Sequence, residues 1–568
     1  MPHIQGLNRN QLMVCSLDSF VSPESIARII DAFTSKLDLA ELGFNKTKAS
    51  NEGRPSYEPK ILLSLYMYGS RKSIRSSRKL DEACKVNMEV KWLMNGLEPD
   101  FRTISDFRKD NIDCLKKVFK EFNRKLATVL VGGFKSLDGS KFYASNSKDN
   151  NFTQNKLDDR IAWLDSHSEE YLRQLSEMDG LDEEQELTGR FTRVELEQKL
   201  QKTQERLERY KRYRDYMEAS GLSQISLTDP DSKLMKSKNG FCVSYNVQAV
   251  VDSETHLIDD FYTTNQVTDH GLIHSCTNRL KGVEILEVTT DKGYNNEEDM
   301  IKCLESGIIP HVALPDGKDV YELYAPYEAN EIDEAIQNST DSENLKKCLR
   351  AGIIPNVYEN IIDNIEIIEK NQFVPCCESM NKPPYSSTEE MLNRAALGFF
   401  VRDPERNIVF CPAGAALRQK CMTKGGRIRY ANKLACKNCK LKKECIKGKS
   451  AWKEIDFSKD TLEKQADPRL RKTTDTTQGL HRQSKKGCYE KIKLVKITFR
   501  PDRKKMGQRM CISEHPFGTI KRAMNAGFFL LRTLRKVSGE VALMCLGYNM
   551  QVAKNLLGFD KMMEAMAF

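Results

Sequence analysis

The sequence predicts a mixed α+β chain: an all-α N-terminal region, then a mixed β-sheet flanked by helices, then a large cysteine-containing insertion before the last helices. Three observations predict it. Apolar residues recur every three or four positions through residues 1–125 and again from 517 to 557. Short β-branched runs, two of them ending in an aspartate, occupy 134–138 and 243–314. From 316 to 508 the strand pattern stops, and cysteines and basic residues take its place. At 568 residues the chain exceeds one ordinary core, so about two to four structural units are expected. They read as 1–125, 126–315 with a helical insertion at about 154–220, 316–508, and 509–568, whose helices complete the sheet domain.

The N-terminal region opens with Ser22 as a helix cap before Ile26, Ile29, Ile30 and Phe33. A loop with Gly53, Pro55 and Pro59 precedes Ile61, Leu62, Leu65, Tyr66 and Met67, and Thr103–Arg108 reads as another helix start. Short helices carrying Arg75, Arg78 and Lys79 fit a helix-turn-helix-like DNA-binding unit and a plain bundle almost equally. Residues 134–140 read as a short strand ending in Asp138 and a turn. Leu196, Leu200, Thr203, Leu207, Tyr210 and Met217 mark one face of a long helix, a core stripe within a helical hairpin or coiled coil. Strands follow at 243–251 and 257–263, a helix at about 269–280, a strand at 285–291 ending in Asp291, a helix at 296–305 and a strand at 308–314. Strand with acid, hairpin, helix, strand with acid, helix, strand is the order of an RNase H-like fold.

Composition bounds the function. The apolar fraction of 39% and charged fraction of 30% are those of a globular chain. No apolar run reaches the roughly 20 residues a bilayer requires, and the N-terminus lacks a basic-then-apolar leader, so no membrane role and a cytoplasmic location are expected. Seventeen scattered cysteines suit reduced thiols. The net charge of +9 is mild, but Arg469–Arg509 is strongly basic and includes Lys485 and Lys486. Such a segment suits a phosphate backbone; a merely solvated surface is the plainer reading.

Asp138 and Asp291 are the residues most able to carry chemistry. Phosphodiester cleavage without a covalent intermediate needs an activated water and charge relief on the departing 3′ oxygen, which two Mg²⁺ or Mn²⁺ ions about 3.5–4 Å apart supply. These ions prefer oxygen ligands, so a few carboxylates suffice. Separately, Cys411, Cys421, Cys436, Cys439 and Cys445 offer five thiols for a tetrahedral zinc site. Cys436-x2-Cys439 with Cys445 and Cys411 is the preferred set, leaving Cys421 spare; unliganded thiols are the alternative.

Several blocks, in order, resemble the DDE transposases of bacterial insertion sequences. GRPSYEPKILLSLYMYG, SIRSSRKLDEAC and PDFRTISDFRKDN resemble that family's helical N-terminal domain. LDGSKFYAS resembles the segment of the first catalytic acid, Asp138; VTTDKGYNN that of the second, Asp291; RMCISEHPFGTIKRAMN that of the third, Glu514, with Lys521 seven residues on. Glu514 and Lys521 would then share a helix face, the carboxylate on metal and the ammonium on DNA phosphate. One departure stands: in a related group an arginine lies four residues before the glutamate, where this chain has Met510, and Arg509 is one residue out. The plainer reading of Glu514 is a helix N-terminal acid capped by Ser513, with Pro516 in the first turn. Glu540 is the competing third acid.

The resemblance implies a cut-and-paste transposase. It would bind terminal inverted repeats of double-stranded DNA, cleave beside them with Mg²⁺ (or Mn²⁺), and join the 3′ ends to target DNA as a synaptic homodimer. Its DNA contacts would include Lys521, Arg509, Arg75, Arg78, Lys485 and Lys486. A nuclease of the same fold without strand transfer, or a domesticated DNA-binding protein, are the other readings.

Overall fold

The computed structural model describes residues 10–48, 55–178, 192–280, 285–375, 387–466 and 487–567, with Gly282 and Leu470 and less 11, 13, 238–239, 315–317, 423–426, 447–449 and 459–460. The chain divides into two compact units, Met1–Ile367 with Leu494–Phe568, and Ile368–Lys493. Both helices and sheets are present throughout, so the α+β class holds.

The first unit is built around β1 (Lys135–Tyr143). A short pair, β2 (Asn151–Thr153) and β3 (Gln224–Ser226), brackets two long helices, Gln154–Met178 and Arg193–Ala219. On the second of these, Leu196 and Met217 are buried and Leu200, Thr203, Leu207 and Tyr210 half-buried, so the expected stripe is the covered face. Then come β4 (Lys233–Ser237), β5 (Gly240–Asp252), β6 (Ile258–Thr264), β7 (Leu286–Thr290) and β8 (Ile308–Val312). The sheet order is β4-β5-β1-β7-β8, with β6 also paired to β5. β5 lies antiparallel to β1, whereas β7 is parallel to both β1 and β8. The helix expected at about 269–280 is shorter, Ile273–Thr277; Asp299 accepts hydrogen bonds from the amides of Ile273 and His274 at its start.

Side chains alternate across a strand, so the sheet has two dissimilar faces. Phe142, Tyr245, Val247, Ala249 and Phe261 share one core with the N-terminal helices and with Leu534–Ala567. Residues 541–550 of that last helix are all buried, which places it centrally and explains its all-round apolar character. Leu137, Val250 and Val288 pack in the other direction, against Ile273–Thr277 and Glu297–Glu305. The first helix, Ile26–Ser35, is capped not by Ser22 but by Ser25, whose Oγ accepts from the Ala27 amide at 3.1 Å.

Strands do not stop at residue 316. β9 (Tyr321–Pro326), β10 (Ile362–Pro375) and the late β17 (Gly487–Phe499) make a three-stranded sheet in the order β10-β17-β9. The basic composition of 491–499 hides a period of two: Val495, Ile497 and Phe499 are buried, while Lys496 between them pairs with Glu322 at 2.8 Å and Glu366 at 3.4 Å. In the second unit β11 (Phe399–Asp403), β12 (Ile408–Phe410), β13 (Ala416–Met422), β14 (Ile428–Ala431), β15 (Glu454–Phe457) and β16 (Glu463–Gln465) form an antiparallel sheet ordered β15-β14-β13-β12-β11-β16. Its core is divided into two small clusters: Phe400, Val409, Leu417, Ile428, Tyr430, Phe457, Ala466 and Leu470 in one, and Met391, Ala395, Phe399, Val401 and Phe410 in the other. Among the described residues no helix is long and apolar enough to cross a membrane.

Candidate active site

Asp138 does not end its strand. β1 continues to Tyr143, and Asp138 sits opposite Ala249 in the middle of the β1–β5 ladder. The Asp-Gly pair read as a turn is a close approach instead. Gly139 faces Gln248, and a Cβ added there would come within 2.7 Å of Asp269 Oδ1. Asp291 does follow its strand directly, and its Oδ1 accepts from the Gly293 amide at 2.8 Å.

The register brings the two acids together. Lys135 and Ser136 pair with Val288 and Thr289, so three residues on from the first pair Asp138 lies beside Asp291. Neighbouring strands are about 4.8 Å apart. Alternation puts both acids on the face that carries Glu287 and Ser140. The helix Arg503–Gly518 covers this face: Lys505 donates to Glu287, and beyond the helix Lys521 Nζ donates to Ser140 Oγ at 2.6 Å and to the Lys141 carbonyl at 2.8 Å. Burial pushes the Asp138 carboxyl up to about 6; the Gly139 amide and Arg509 pull it down, and Asp291 and Asp269 push it up. Asp138 therefore senses Arg509 from the helix and Asp291 from the next strand.

The covering helix begins at Asp502, whose Oδ1 caps it by accepting from the Lys504 and Lys505 amides. Glu514 is thus far from the helix N-terminus, and the reading of it as a capped N-terminal acid falls. Ser513 is buried and donates to the Arg509 carbonyl, and Pro516 lies inside the helix rather than in its first turn. Proline has no N–H for the carbonyl four residues back, and the chain widens into a π-turn at Thr519–Ala523. Glu514 itself is exposed. Among the described residues, no three His, Cys, Asp or Glu side chains are placed so as to hold a metal ion together.

Behind the acids lies a polar group, Asn246, Gln248 and Tyr294 around Asp269, a residue that the sequence suggests as a helix cap beside His270. Asp269 Oδ1 accepts from Asn246 Nδ2 (2.6 Å), Gln248 Nε2 (2.7 Å) and Lys141 Nζ (3.1 Å), and Tyr294 donates to Gln248 Oε1. The sequence carries a signal for them: Ser244, Asn246 and Gln248 are fully buried polar residues that alternate with the apolar side of their strand. His270 pairs with Asn296 at 3.0 Å.

The remaining predicted residues are distributed as follows. Glu540 is only 4% exposed and accepts from the Leu530 and Leu531 amides and from Arg75 at 2.6 Å. Arg75, expected at DNA, is taken up inside by that pair and by the Asn525 and Phe528 carbonyls. Arg78 is exposed, its guanidinium 5.3 Å from the Phe101 ring centroid. Lys485 and Lys486 lie outside the described residues. Cys411, Cys436, Cys439 and Cys445 all line one cavity of about 30 Å³, while Cys421 is exposed on β13.

The chain is thus an α+β protein with two neighbouring acids near the centre of a mixed sheet. Residues 15–110, the N-terminal helices, match the family described as Transposase domain (DUF772), which supports a transposase of the insertion-sequence type. Comparison with curated proteins and with solved structures finds no match.

Proposed function

We propose that the protein is a cut-and-paste DNA transposase whose sheet is RNase H-like and whose Asp138, Asp291 and Glu514 form a DDE triad. The observation that carries this reading is the pairing of Asp138 and Asp291 on one face of adjacent parallel strands, beneath the helix that bears Glu514. The strand order supports it: β1 with its acid, the β5–β6 hairpin, a helix, β7 with its acid, a helix and β8 follow one another as in that fold. The transposase-domain match supports the same class.

The residues fit divalent cations by donor chemistry, since carboxylate oxygens suit Mg²⁺ and Mn²⁺. Bound there, such ions supply an activated water and charge relief on the leaving 3′ oxygen. Asp138 and Asp291 would hold them from the rigid sheet. Glu514 would close the site from the helix, which Lys505 and Lys521 tie down at either end. Arg509, whose charge acts on Asp138, would limit the repulsion between the paired carboxylates and face the DNA backbone. The N-terminal helices, through Arg78 among others, would hold the terminal inverted repeats, and a homodimer would bring two ends together. A bacterial cytoplasm, at the nucleoid, is the setting for this activity.

The test is Mg²⁺-dependent cleavage and strand transfer on DNA carrying the element's own ends. Asp138→Asn, Asp291→Asn and Glu514→Gln each lose cutting and joining while retaining end binding. Turnover equal to the unaltered protein in any one of them removes that residue from the triad. Cutting without joining of pre-cleaved ends leaves a nuclease, and binding without cutting leaves a DNA-binding protein.

A further inference from the structure

The second unit is short of apolar core at one end. The helices Lys433–Lys437 and Lys442–Cys445 are five and four residues long, and neither contains a buried residue. Helices this short do not hold themselves together in water. What these segments do contribute is sulfur. Cys436, Cys439 and Cys445 line the same small cavity as Cys411, which comes from the turn after β12.

Local structure brings the two segments to that cavity. The Cys411 amide donates to the Ala415 carbonyl at 3.0 Å and the Gly414 amide to the Cys411 carbonyl at 2.8 Å, folding the first cysteine onto a tight turn. Asn432 caps the first short helix through the Ala435 amide, and its Nδ2 donates to the Ala416 carbonyl at 2.9 Å. One side chain thus clamps the Cys436 segment to the Cys411 turn. Cys411 and Cys445 also border one of the unit's apolar clusters, which shelters those two sulfurs on one side. All four are free cysteines, and Cys421, the spare in the sequence, stands exposed and away from the cavity.

We propose that Cys411, Cys436, Cys439 and Cys445 bind one structural zinc ion, which staples the two short helices to the β12–β13 turn. Two thiols on a Cys-x2-Cys turn, a third six residues on and a fourth from a separate turn supply the tetrahedral all-sulfur set that zinc takes in structural sites. As placed, the sulfurs surround the cavity rather than meet at one point; binding draws them inward across it. Four thiolates around a dication leave a net negative charge, and Lys442 and Lys453 line the same cavity to offset it. With four protein ligands there is no open position, so the ion has no catalytic part. This inference does not depend on the transposase reading.

The experiment is metal analysis of the full chain purified reduced and without chelator. About one zinc per chain is expected, retained in Cys421→Ser and lost at least tenfold in Cys436→Ser. Cobalt substitution in the unaltered protein, which needs no variant to fold, is expected to give a thiolate-to-metal charge-transfer band. Cobalt should be displaced by one equivalent of zinc. Reduced, folded protein that carries no zinc and gives no such band overturns the proposal. So does iron in place of zinc, which assigns an iron–thiolate centre, or zinc loss in Cys421→Ser as large as in Cys436→Ser.

Discussion

On the proposed triad, Glu540 and Glu514 are rival candidates for the third acid, and opposite responses to substitution separate them. Glu540 is almost fully enclosed, and its carboxylate accepts from two backbone amides and from the largely buried Arg75. In Glu540→Gln the side-chain amide cannot satisfy all three donors at once, and Arg75 is left with a buried, uncompensated charge. Removing one member of a buried pair costs about 3–5 kcal/mol. Arg75 keeps the Asn525 and Phe528 carbonyls, so the lower end, about 3 kcal/mol, is expected here. Because Gly-Phe-Phe-Leu-Leu at 527–531 is anchored only a few residues beyond Lys521, the loss also loosens the link between the sheet and the central helix. Thermal and urea unfolding of the metal-free protein measures it. Glu540→Gln should melt several degrees lower yet cleave DNA normally at a temperature where it is folded. Glu514→Gln, at an exposed position, should melt within about 0.5 kcal/mol of the parent and fail to cleave. A stable but inactive Glu540→Gln, or a destabilised but active Glu514→Gln, would falsify this assignment of roles.

Two further outcomes follow from contacts around the acid pair. Gly139→Ala drives a methyl group into Gln248 and Asp269 and should lower stability by about 1–3 kcal/mol, read as a shift in the urea midpoint; an unchanged midpoint means the strand is not packed as described. Hydrogen bonds from His311, opposed by burial, and then from Lys505 hold Glu287 down to about 2 from an ordinary 4.5, so its contribution is present above pH 4.5 and lost as pH falls toward 2. Glu287→Gln should therefore cost on the order of 1 kcal/mol at pH 7, after screening of a partly exposed side chain, with the difference from the parent closing below pH 4.5; a pH-independent difference refutes the ion pair as its source.

Much of this architecture is legible in the sequence, for identifiable reasons. β5 and β8 are buried over nearly their whole length and β7 over its second half, and their valines, isoleucines and threonines make the order of the strands legible. β1 was cut short because Asp138-Gly139 looks like a turn, whereas the glycine is there for the neighbouring Gln248 and Asp269 side chains. β17 is masked because Lys491, Lys493 and Lys496 give it the look of a charge run, and the alternation of buried Val495, Ile497 and Phe499 is confined to its second half. The start of the Arg503–Gly518 helix was missed because it is polar along most of its length, with only Ile512, Ser513, Pro516 and Phe517 buried. The spacing of Cys411, Cys436, Cys439 and Cys445 groups them in the sequence, and in the structure they line one cavity while Cys421 is exposed elsewhere.

The helices that match a transposase domain, and the helix Cys114–Leu126 that follows them, are not a separate lobe. Phe33, Leu63, Phe119 and Phe122 belong to the same core as Phe142, Tyr245 and Val247 of the sheet and Val541 to Met550 of the last helix. Lys116 reaches the Phe261 carbonyl, and Asn123 bonds both the Ile258 carbonyl and Asn549. Interiors packed in this way transmit strain rather than absorb it. A DNA end gripped by those helices would therefore stand at a fixed position relative to Asp138 and Asp291, without any linker motion to search through. Substitutions in this shared core, such as Phe122→Leu, should then alter cleavage position or rate without touching either DNA or carboxylates. In a chain whose binding helices hung on a flexible tether they would alter stability alone.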